Sequence, residues 1–115
     1  MANKEKSHLS ITKKVDQLND YASSLSSKDT LLAFNAALEA KTLAEEIKYL
    51  KGRVYAIFYI SESLYRQGKF YDAIDYLRES IQLNSTLKDG YIESKSLTQF
   101  GNIHIFLKNY DLAFY

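Results

Sequence analysis

Two histidines and one acidic cluster are the side chains of this sequence most able to bind a metal ion or transfer a proton. His8 lies in a polar N-terminal segment. A metal site on a helix needs a second His or a carboxylate about one turn from the first ligand. The neighbours of His104 are not such ligands: Ile103, Ile105 and Lys108. His104 is therefore expected to be a half-buried packing residue, and no metal site is predicted.

A second candidate for chemistry is a set of three carboxylates, Asp72, Asp75 and Glu79, which are spaced to share one face of a helix. This spacing imitates a catalytic acid cluster, but a catalytic carboxylate needs burial that shifts its pKa. The nearby Lys69 and Arg78 instead favour a solvated, charged face. We therefore expect no catalysis from these residues.

Sequence motifs of enzymes and cofactor-binding proteins are absent from the chain. It has no cysteine, no Gly-rich phosphate loop, no nucleophile elbow and no His-Glu-x-x-His helix. Asn84-Ser85-Thr86 formally matches a glycosylation acceptor, but we interpret it as part of a polar loop. The sequence predicts a protein that is not an enzyme and binds no cofactor.

The composition favours one helical domain. The chain has 115 residues, of which 46% are hydrophobic, and no apolar run approaches the ~18 residues that a membrane span needs. Fifteen basic and fourteen acidic residues leave a net charge of +1, so neither nucleic acid nor a membrane is an expected partner. The N-terminus lacks the apolar stretch of a secretory signal, which predicts a cytoplasmic location. Zero prolines and four glycines favour long helices and an all-α fold.

Apolar residues recur at spacings of three and four along most of the chain, which is typical of amphipathic helices. Residues 1–10 are polar and aperiodic, and we expect a disordered leader there. Asp29 or Thr30 is expected to cap the second helix, which Gly52 ends. Gly68 is expected to form the turn between the third and fourth helices. The other predicted elements are helices at 11–25, 53–67, 71–83 and 91–107, a polar loop at 84–90, and a sixth helix from Tyr110.

The same pattern repeats at about forty residues. Ala33, Ala73 and Ala113 are each forty residues apart, and so are Ser61 and Gly101. A fixed period of this size indicates an array of helical hairpins. We therefore expect an array over residues 11–115, with repeats at about 11–52 and 53–92 and a truncated repeat at 93–115.

The central repeat carries the residues by which the chain resembles a known family. Large residues, a hydrophobic-small pair, a turn glycine, an aromatic residue and three interface residues stand in order: Ile57, Ile60-Ser61, Leu64, Gly68, Phe70, Ala73, Leu77 and Ser80. This run resembles the tetratricopeptide repeat (TPR) family. The period exceeds the family's usual 34 residues, and Lys108 replaces the turn glycine in the third repeat. The long period is similar to that of N-terminal sensor arrays of bacterial signalling proteins.

The resemblance implies an alpha-alpha superhelix, a right-handed stack of antiparallel hairpins whose first helices line a concave groove. It places these residues in the groove: Tyr55, Phe58, Glu62, Tyr65, Arg66, Lys95, Thr98, Asn102, Ile105 and Phe106. The first repeat would add Asp16, Asn19, Ser23 and Ser26. Exposed aromatic residues and an Arg are typical of binding surfaces. The alternative is that Phe58 and Phe106 pack against a neighbouring helix.

The resemblance supports two functional hypotheses. The first is a non-catalytic protein-protein interaction module that binds a peptide, a partner helix or a second copy of itself. The second is a sensor domain of a diguanylate cyclase, a histidine kinase or a peptide-responsive transcription regulator, with an output domain beyond residue 115. A homodimer through the C-terminal hairpin is also predicted from an apolar surface on the fifth helix. The residues of that surface are Leu97, Phe100, Ile103 and Phe106.

Overall fold

The computed structural model describes the backbone of residues 2–113 and the side chains of residues 7–108. Residues 2–113 form five helices and no strand, which confirms the predicted all-α class. The helices are α1 (Ala2–Leu25), α2 (Thr30–Glu46), α3 (Leu50–Arg66), α4 (Phe70–Leu87) and α5 (Gly90–Ala113). Across these five helices, no stretch combines the length and the apolarity that crossing a bilayer requires.

The helices form an elongated stack of 63 × 29 × 19 Å. Each helix packs against the next one along the chain, and α3 also contacts both α1 and α5. The three odd-numbered helices therefore share one surface, which we name the α1-α3-α5 face. α3 is the central helix, and Val54, Ile57 and Ile60 on it are fully buried.

Two of the predicted helix boundaries are confirmed. Asp29 caps α2: its backbone is extended, with φ −144°, and its carboxylate accepts a hydrogen bond from the Leu32 backbone N–H at 3.1 Å. This bond satisfies one of the free donors at the helix start. Gly68 has a φ of +80° in the turn between α3 and α4, a conformation that glycine adopts without a steric penalty.

The residues expected from the sequence lie at the α3–α4 interface. Ala73, Leu77 and Ser80 on α4 are fully buried. The Ser80 hydroxyl donates to the Val54 carbonyl at 3.0 Å, and the Ser61 hydroxyl on α3 donates to the Ala73 carbonyl at 2.7 Å. Each buried hydroxyl thus finds an acceptor on the opposite helix, which the close approach of the two backbones makes possible.

Gly52 does not end a helix. The chain reverses earlier, where Lys48 has a φ of 56° and the Tyr49 backbone N–H donates to the Ala44 carbonyl at 2.8 Å. Gly52 is buried in the first turn of α3, where a Cβ would lie 2.5 Å from Cγ1 of Val15 on α1. The predicted helix break is therefore wrong, because glycine at this position serves the close approach of α1 and α3.

The N-terminal segment is helical where the sequence predicts a disordered leader. α1 begins at Ala2, and residues 7–10 are exposed on it. No glycine or proline interrupts residues 2–25, so hydrogen bonding continues into a stretch that lacks an apolar stripe. An apolar stripe indicates that a helix packs against other helices. The first part of α1 is helical but has no such stripe.

The predicted polar loop at 84–90 is also mostly helix. α4 continues to Leu87, and only Lys88 and Asp89 link it to α5. Asn84 is buried: its side-chain amide donates to the Asp89 carbonyl and accepts from the Asp89 backbone N–H, both at 3.0 Å. Asn84 therefore fixes the α4–α5 link.

The sixth helix predicted from Tyr110 is not formed, because α5 continues without a turn to Ala113. Lys108 lacks the positive φ that Gly68 has at the matching place in the repeat before. The expected C-terminal hairpin is thus absent from residues 2–113, and the homodimer prediction that depends on it finds no support there. The side chain of Tyr110 lies outside the described residues.

The apolar surface expected on α5 is only partly exposed. Ile103 is fully buried and Phe100 is half-buried, whereas Leu97 is 58% exposed and Phe106 is 49% exposed. Ile103 thus belongs to the core.

Candidate functional site

The residues predicted to line a groove come from α3 and α5, which lie side by side on the α1-α3-α5 face. Nine of the ten are exposed or half-buried: Tyr55, Glu62, Tyr65, Arg66, Lys95, Thr98, Asn102, Ile105 and Phe106. Of the residues predicted for the first repeat, Asp16 and Ser23 are exposed, Ser26 is half-buried and Asn19 is buried.

Phe58 is the exception, since only 2% of it is exposed. Its ring packs edge-to-face against Tyr59, with the ring centroids 5.5 Å apart. The groove assignment of Phe58 is therefore wrong. Phe58 lies in a buried cluster that includes residues of α1 and α5, as the alternative of packing against a neighbouring helix predicts. Phe58 belongs to the core, and so does its neighbour Tyr59, of which 8% is exposed.

A small cleft, which we name the acidic cleft, lies between α1 and α3. It has a volume of about 190 Å³, and its lining residues are Asp16, Asn19, Asp20, Lys51, Gly52 and Tyr55. Just outside it, the Tyr49 hydroxyl donates to Asp16 Oδ1 at 2.8 Å. Burial and this bond raise the pKa of Tyr49 to about 12. Tyr49 thus stays protonated at neutral pH and holds the start of α3 against α1.

Tyr55 makes the matching contact on the other side of α3. Its hydroxyl donates to Asp89 Oδ2 at 2.8 Å, next to the start of α5. Burial, followed by this hydrogen bond, raises the pKa of Tyr55. Hydrogen bonds from the Ile92 backbone N–H and from Tyr55 lower the pKa of Asp89. Tyr55 therefore stays neutral and Asp89 stays charged, which suits a structural bond between α3 and α5.

The middle of the α1-α3-α5 face is polar. Lys95 on α5 places its ammonium 5.2 Å from the Tyr91 ring centroid and 6.0 Å from that of Phe58. Burial acts to lower the pKa of Lys95, but Tyr91, Tyr59 and the Glu62 carboxylate outweigh it, so the pKa is raised. Lys95 is thus a permanent cation at the centre of this face.

A larger cleft, which we name the aromatic cleft, lies at the opposite end of the face. Its volume is about 480 Å³, and its lining residues are Ser27, Thr30, Tyr65, Arg66, Gly68, Phe70 and Phe106. Phe70 and Phe106 stack with an interplanar angle of 15° and centroids 5.5 Å apart. Tyr65 packs against both rings, at 5.7 and 5.5 Å. Three aromatic rings from three helices therefore meet in one open cleft beside the exposed Arg66.

Sequence reasoning missed several residues of this surface. Phe70 was named only in the run that resembles the TPR family and was not assigned to the groove, yet its stacking on Phe106 makes it a cleft residue. Tyr91 was missed, although it stands one helical turn before Lys95. Asp89 was assigned to a loop, and its bond to Tyr55 joins residues 34 apart in sequence. Only the Tyr91–Lys95 spacing could have been read beforehand.

The histidine and the carboxylates considered for metal binding or proton transfer do not come together in one site. Among the side chains of residues 7–108, no group of three metal-binding side chains occurs. His104, expected to be half-buried, is exposed and packs edge-to-face on Phe100. Glu79 pairs with Arg53 of α3 at 3.4 Å instead of with a basic residue of its own helix. Asp72 and Asp75 are exposed, as the solvated-face prediction requires.

Residues 2–113 thus form five packed helices with two clefts. Comparison with curated proteins finds a similarity to "Regulatory protein RapG" of Bacillus subtilis (strain 168), which is 34% identical over 64 residues. The aligned segment covers 56% of this chain but only 18% of RapG. No protein-family model matches the chain, and no solved structure matches it. The similarity to this regulatory protein is therefore confined to one segment of each chain.

Proposed function

We propose that this chain is a non-catalytic protein-interaction module of the TPR type, which binds a peptide or a partner helix along the α1-α3-α5 face. The observation that carries the proposal is the aromatic cleft, where Tyr65, Phe70 and Phe106 meet beside Arg66. Aromatic residues and Arg are the types that contribute most to the free energy of binding between proteins. A monomer ordinarily buries such rings.

The TPR assignment is supported by buried alanines at matching positions and by the side-by-side packing of the odd-numbered helices. Ala33 on α2 and Ala73 on α4 are forty residues apart and both buried. Asn19 on α1 contacts the backbone of α3, and Tyr65 on α3 contacts Phe106 on α5. The odd-numbered helices thus pack side by side, as the first helices of consecutive TPR hairpins do.

The cleft also indicates the chemistry of the partner. The three rings offer apolar surface, and Arg66 forms no ion pair with the side chains of residues 7–108. An apolar side chain next to a carboxylate would satisfy both features, because Arg binds carboxylates through paired hydrogen bonds. We expect a peptide with an aromatic or aliphatic residue beside Asp, Glu or its own C-terminus.

Selection of peptides from a random phage-displayed library on the immobilised chain tests this proposal. Peptides should be enriched in an apolar-acidic pair, and Phe106→Ala and Arg66→Ala should each weaken their binding by more than about 1 kcal/mol in titration calorimetry. Matched controls are Tyr71→Ala and Arg78→Ala, which remove an exposed aromatic residue and an exposed Arg from α4. Equal affinities for the cleft variants and the controls would refute the proposal.

The similarity to RapG favours a second, compatible candidate function. RapG is a regulatory protein, and a peptide-binding face suits a sensor domain that controls a separate output activity. This would be a domain of a signalling enzyme or of a peptide-responsive regulator. The gene sequence downstream of the codon for Tyr115 tests it: an in-frame catalytic or DNA-binding domain would support the sensor role, and an immediate stop codon would oppose it.

A further inference from the structure

One side of α5 is exposed, although the corresponding side of α3 is covered by α4. We propose that this side, which we name the outer α5 face, binds an amphipathic helix of a partner protein in the way that α3 binds α4. The residues of the face are Glu93, Leu97, Gly101 and His104. Leu97 and Phe106 are nine residues apart, or about 2.5 helical turns. The outer α5 face therefore lies opposite the aromatic cleft, and the inference does not depend on the proposed function.

The forty-residue repeat relates α3 and α5 position by position. Three residues of α3 are buried on the side toward α4: Ile57, Ser61 and Leu64. The residues forty positions later are all exposed: Leu97, Gly101 and His104. Within residues 2–113, α5 packs only against α3 and α4. The third repeat therefore has a helix-binding side whose helix is not among the described residues.

The other side of α5 supports this register. Four residues of α3 are buried toward the preceding hairpin: Gly52, Ala56, Tyr59 and Ser63. The residues forty positions later on α5 are buried as well: Ile92, Ser96, Gln99 and Ile103. The two helices thus pack alike on the side toward the preceding hairpin, and they differ on the side toward the next one.

Gly101 is an independent sign that a helix crosses the outer α5 face. Glycine inside a helix costs about 1 kcal/mol relative to alanine, and a Cβ at Gly101 would have open space around it. No contact within the described residues therefore requires a glycine there. The corresponding Ser61 lies at a close crossing, since its hydroxyl reaches the Ala73 carbonyl of α4 at 2.7 Å. A helix that crossed α5 at Gly101 would explain the glycine, because helices approach closely only where side chains are small.

The charges indicate the chemistry of the bound helix. Arg53 on α3 pairs with Glu79 of the covering helix α4 at 3.4 Å. Glu93 stands forty residues after Arg53, is exposed and forms no ion pair with the side chains of residues 7–108. Lys88 lines the same hollow of about 320 Å³ as Glu93 and Leu97 but does not pair with Glu93. The charge on α5 is thus reversed relative to α3, so the bound helix should carry Arg or Lys where α4 has Glu79.

The chain does not fold back onto this face within residues 2–113. After α3, the turn at Gly68 leads α4 back along α3. The corresponding Lys108 has no positive φ, and α5 continues to Ala113. The hairpin that places α4 on α3 therefore does not form here, and we assign the covering helix to a partner protein. It should share the α4 spacing of its small and apolar contact residues: Ala73, Leu77 and Ser80.

A peptide with the α4 sequence and the change Glu79→Arg is the probe for this surface. A lactam between Tyr71→Lys and Asp75, which are exposed on α4, locks it as a helix, because a helix without tertiary packing is marginal. In nuclear magnetic resonance titration of the ¹⁵N-labelled chain, the amide signals of Leu97 and Gly101 should shift saturably. The same peptide with Glu79 retained should bind at least about threefold more weakly. Equal affinities, or no saturable shift on α5, would overturn the proposal.

Variants of the chain locate the effect. Glu93→Arg should reverse the preference, so that the peptide with Glu79 binds more tightly than the one with Arg. Glu46→Arg changes an exposed glutamate of α2 in the same way and should keep the original preference. A Glu93→Arg chain with the preference of the parent would refute the assigned charge pair.

Gly101→Leu should weaken binding of the Glu79→Arg peptide more than about fivefold, because the larger side chain prevents a close crossing. The open space around Gly101 in the free chain means that this variant should keep its circular dichroism spectrum. Binding that is unchanged in a folded Gly101→Leu chain would overturn the proposed crossing point. If light scattering instead shows a dimer of the parent that Gly101→Leu disperses, the face belongs to a second copy and the partner-helix assignment is wrong.

Discussion

Gly52→Ala should destabilise the protein, although alanine is the better helix former. In an isolated helix the change would add about 1 kcal/mol of stability. Here the new Cβ would lie 2.5 Å from Cγ1 of Val15 and 2.7 Å from Cδ2 of Tyr49, whereas carbon atoms pack at about 3.5–4.0 Å. α1 must therefore move away from α3 by about 1 Å. The displacement also lengthens the hydrogen bond from Asn19 to the Gly52 carbonyl.

The change in the free energy of unfolding is the balance of two unfavourable contributions and one favourable one. Overpacking a buried site costs about 1–3 kcal/mol, and weakening a buried hydrogen bond costs about 1 kcal/mol more. Against the helix gain of about 1 kcal/mol, the net loss should be about 1–3 kcal/mol, or a fall in Tm of about 4 °C per kcal/mol.

Gly101→Ala is the matched control for this prediction. Gly101 is also helical, but a Cβ there would have open space around it. The control should gain up to about 1 kcal/mol. Both variants can be compared by urea unfolding followed by circular dichroism. A Gly52 variant as stable as the Gly101 variant would refute the close-packing argument.

Two further outcomes are expected. Ala73→Leu should lower the free energy of unfolding by about 1–3 kcal/mol, because the fully buried Ala73 faces α3 with its carbonyl bound to Ser61; an unchanged urea midpoint would contradict the helix register. Asp89→Asn should reduce the acid sensitivity of the fold. Hydrogen bonds from the Ile92 N–H and from Tyr55 lower the pKa of Asp89 in the folded state, so its contribution is present above about pH 4 and lost below it. Parent and variant urea midpoints should therefore converge between about pH 7 and pH 3, and midpoints that stay equally far apart would count against this role.

The features that could be predicted from the sequence are those that depend on local chemistry. Asp29 starts α2 because a short acidic side chain suits a helix cap, and Gly68 forms its turn because no other residue adopts a φ of +80° so readily. Gly52 was misread since glycine serves both as a helix breaker and as a spacer between helices. Only the position of Val15 on another helix decides between these roles.

The candidate site was predictable where it depends on helix periodicity and not where it depends on contacts between helices. The exposure of Arg66 and Phe106 follows from their places on α3 and α5. The burial of Phe58 does not, because the same position can face a groove or a neighbouring helix. The unpaired oxygen of Asn19 likewise arises only when α1 and α3 meet.

The two tyrosine-aspartate bonds near the start of α3 have a mechanical consequence. Tyr49 fastens that end of α3 to α1, and Tyr55 fastens it to the beginning of α5. At the far end of α3, its contact with α5 consists of rings, Tyr65 against Phe106, which can slide and tilt without breaking a directional bond. The three helices are therefore joined by directional hydrogen bonds near the start of α3 and by a ring contact at its end. The acidic cleft lies beside the hydrogen-bonded end, so we expect it to keep its shape. The aromatic cleft lies beside the ring contact, so we expect α3 and α5 to separate there enough to fit side chains of different sizes.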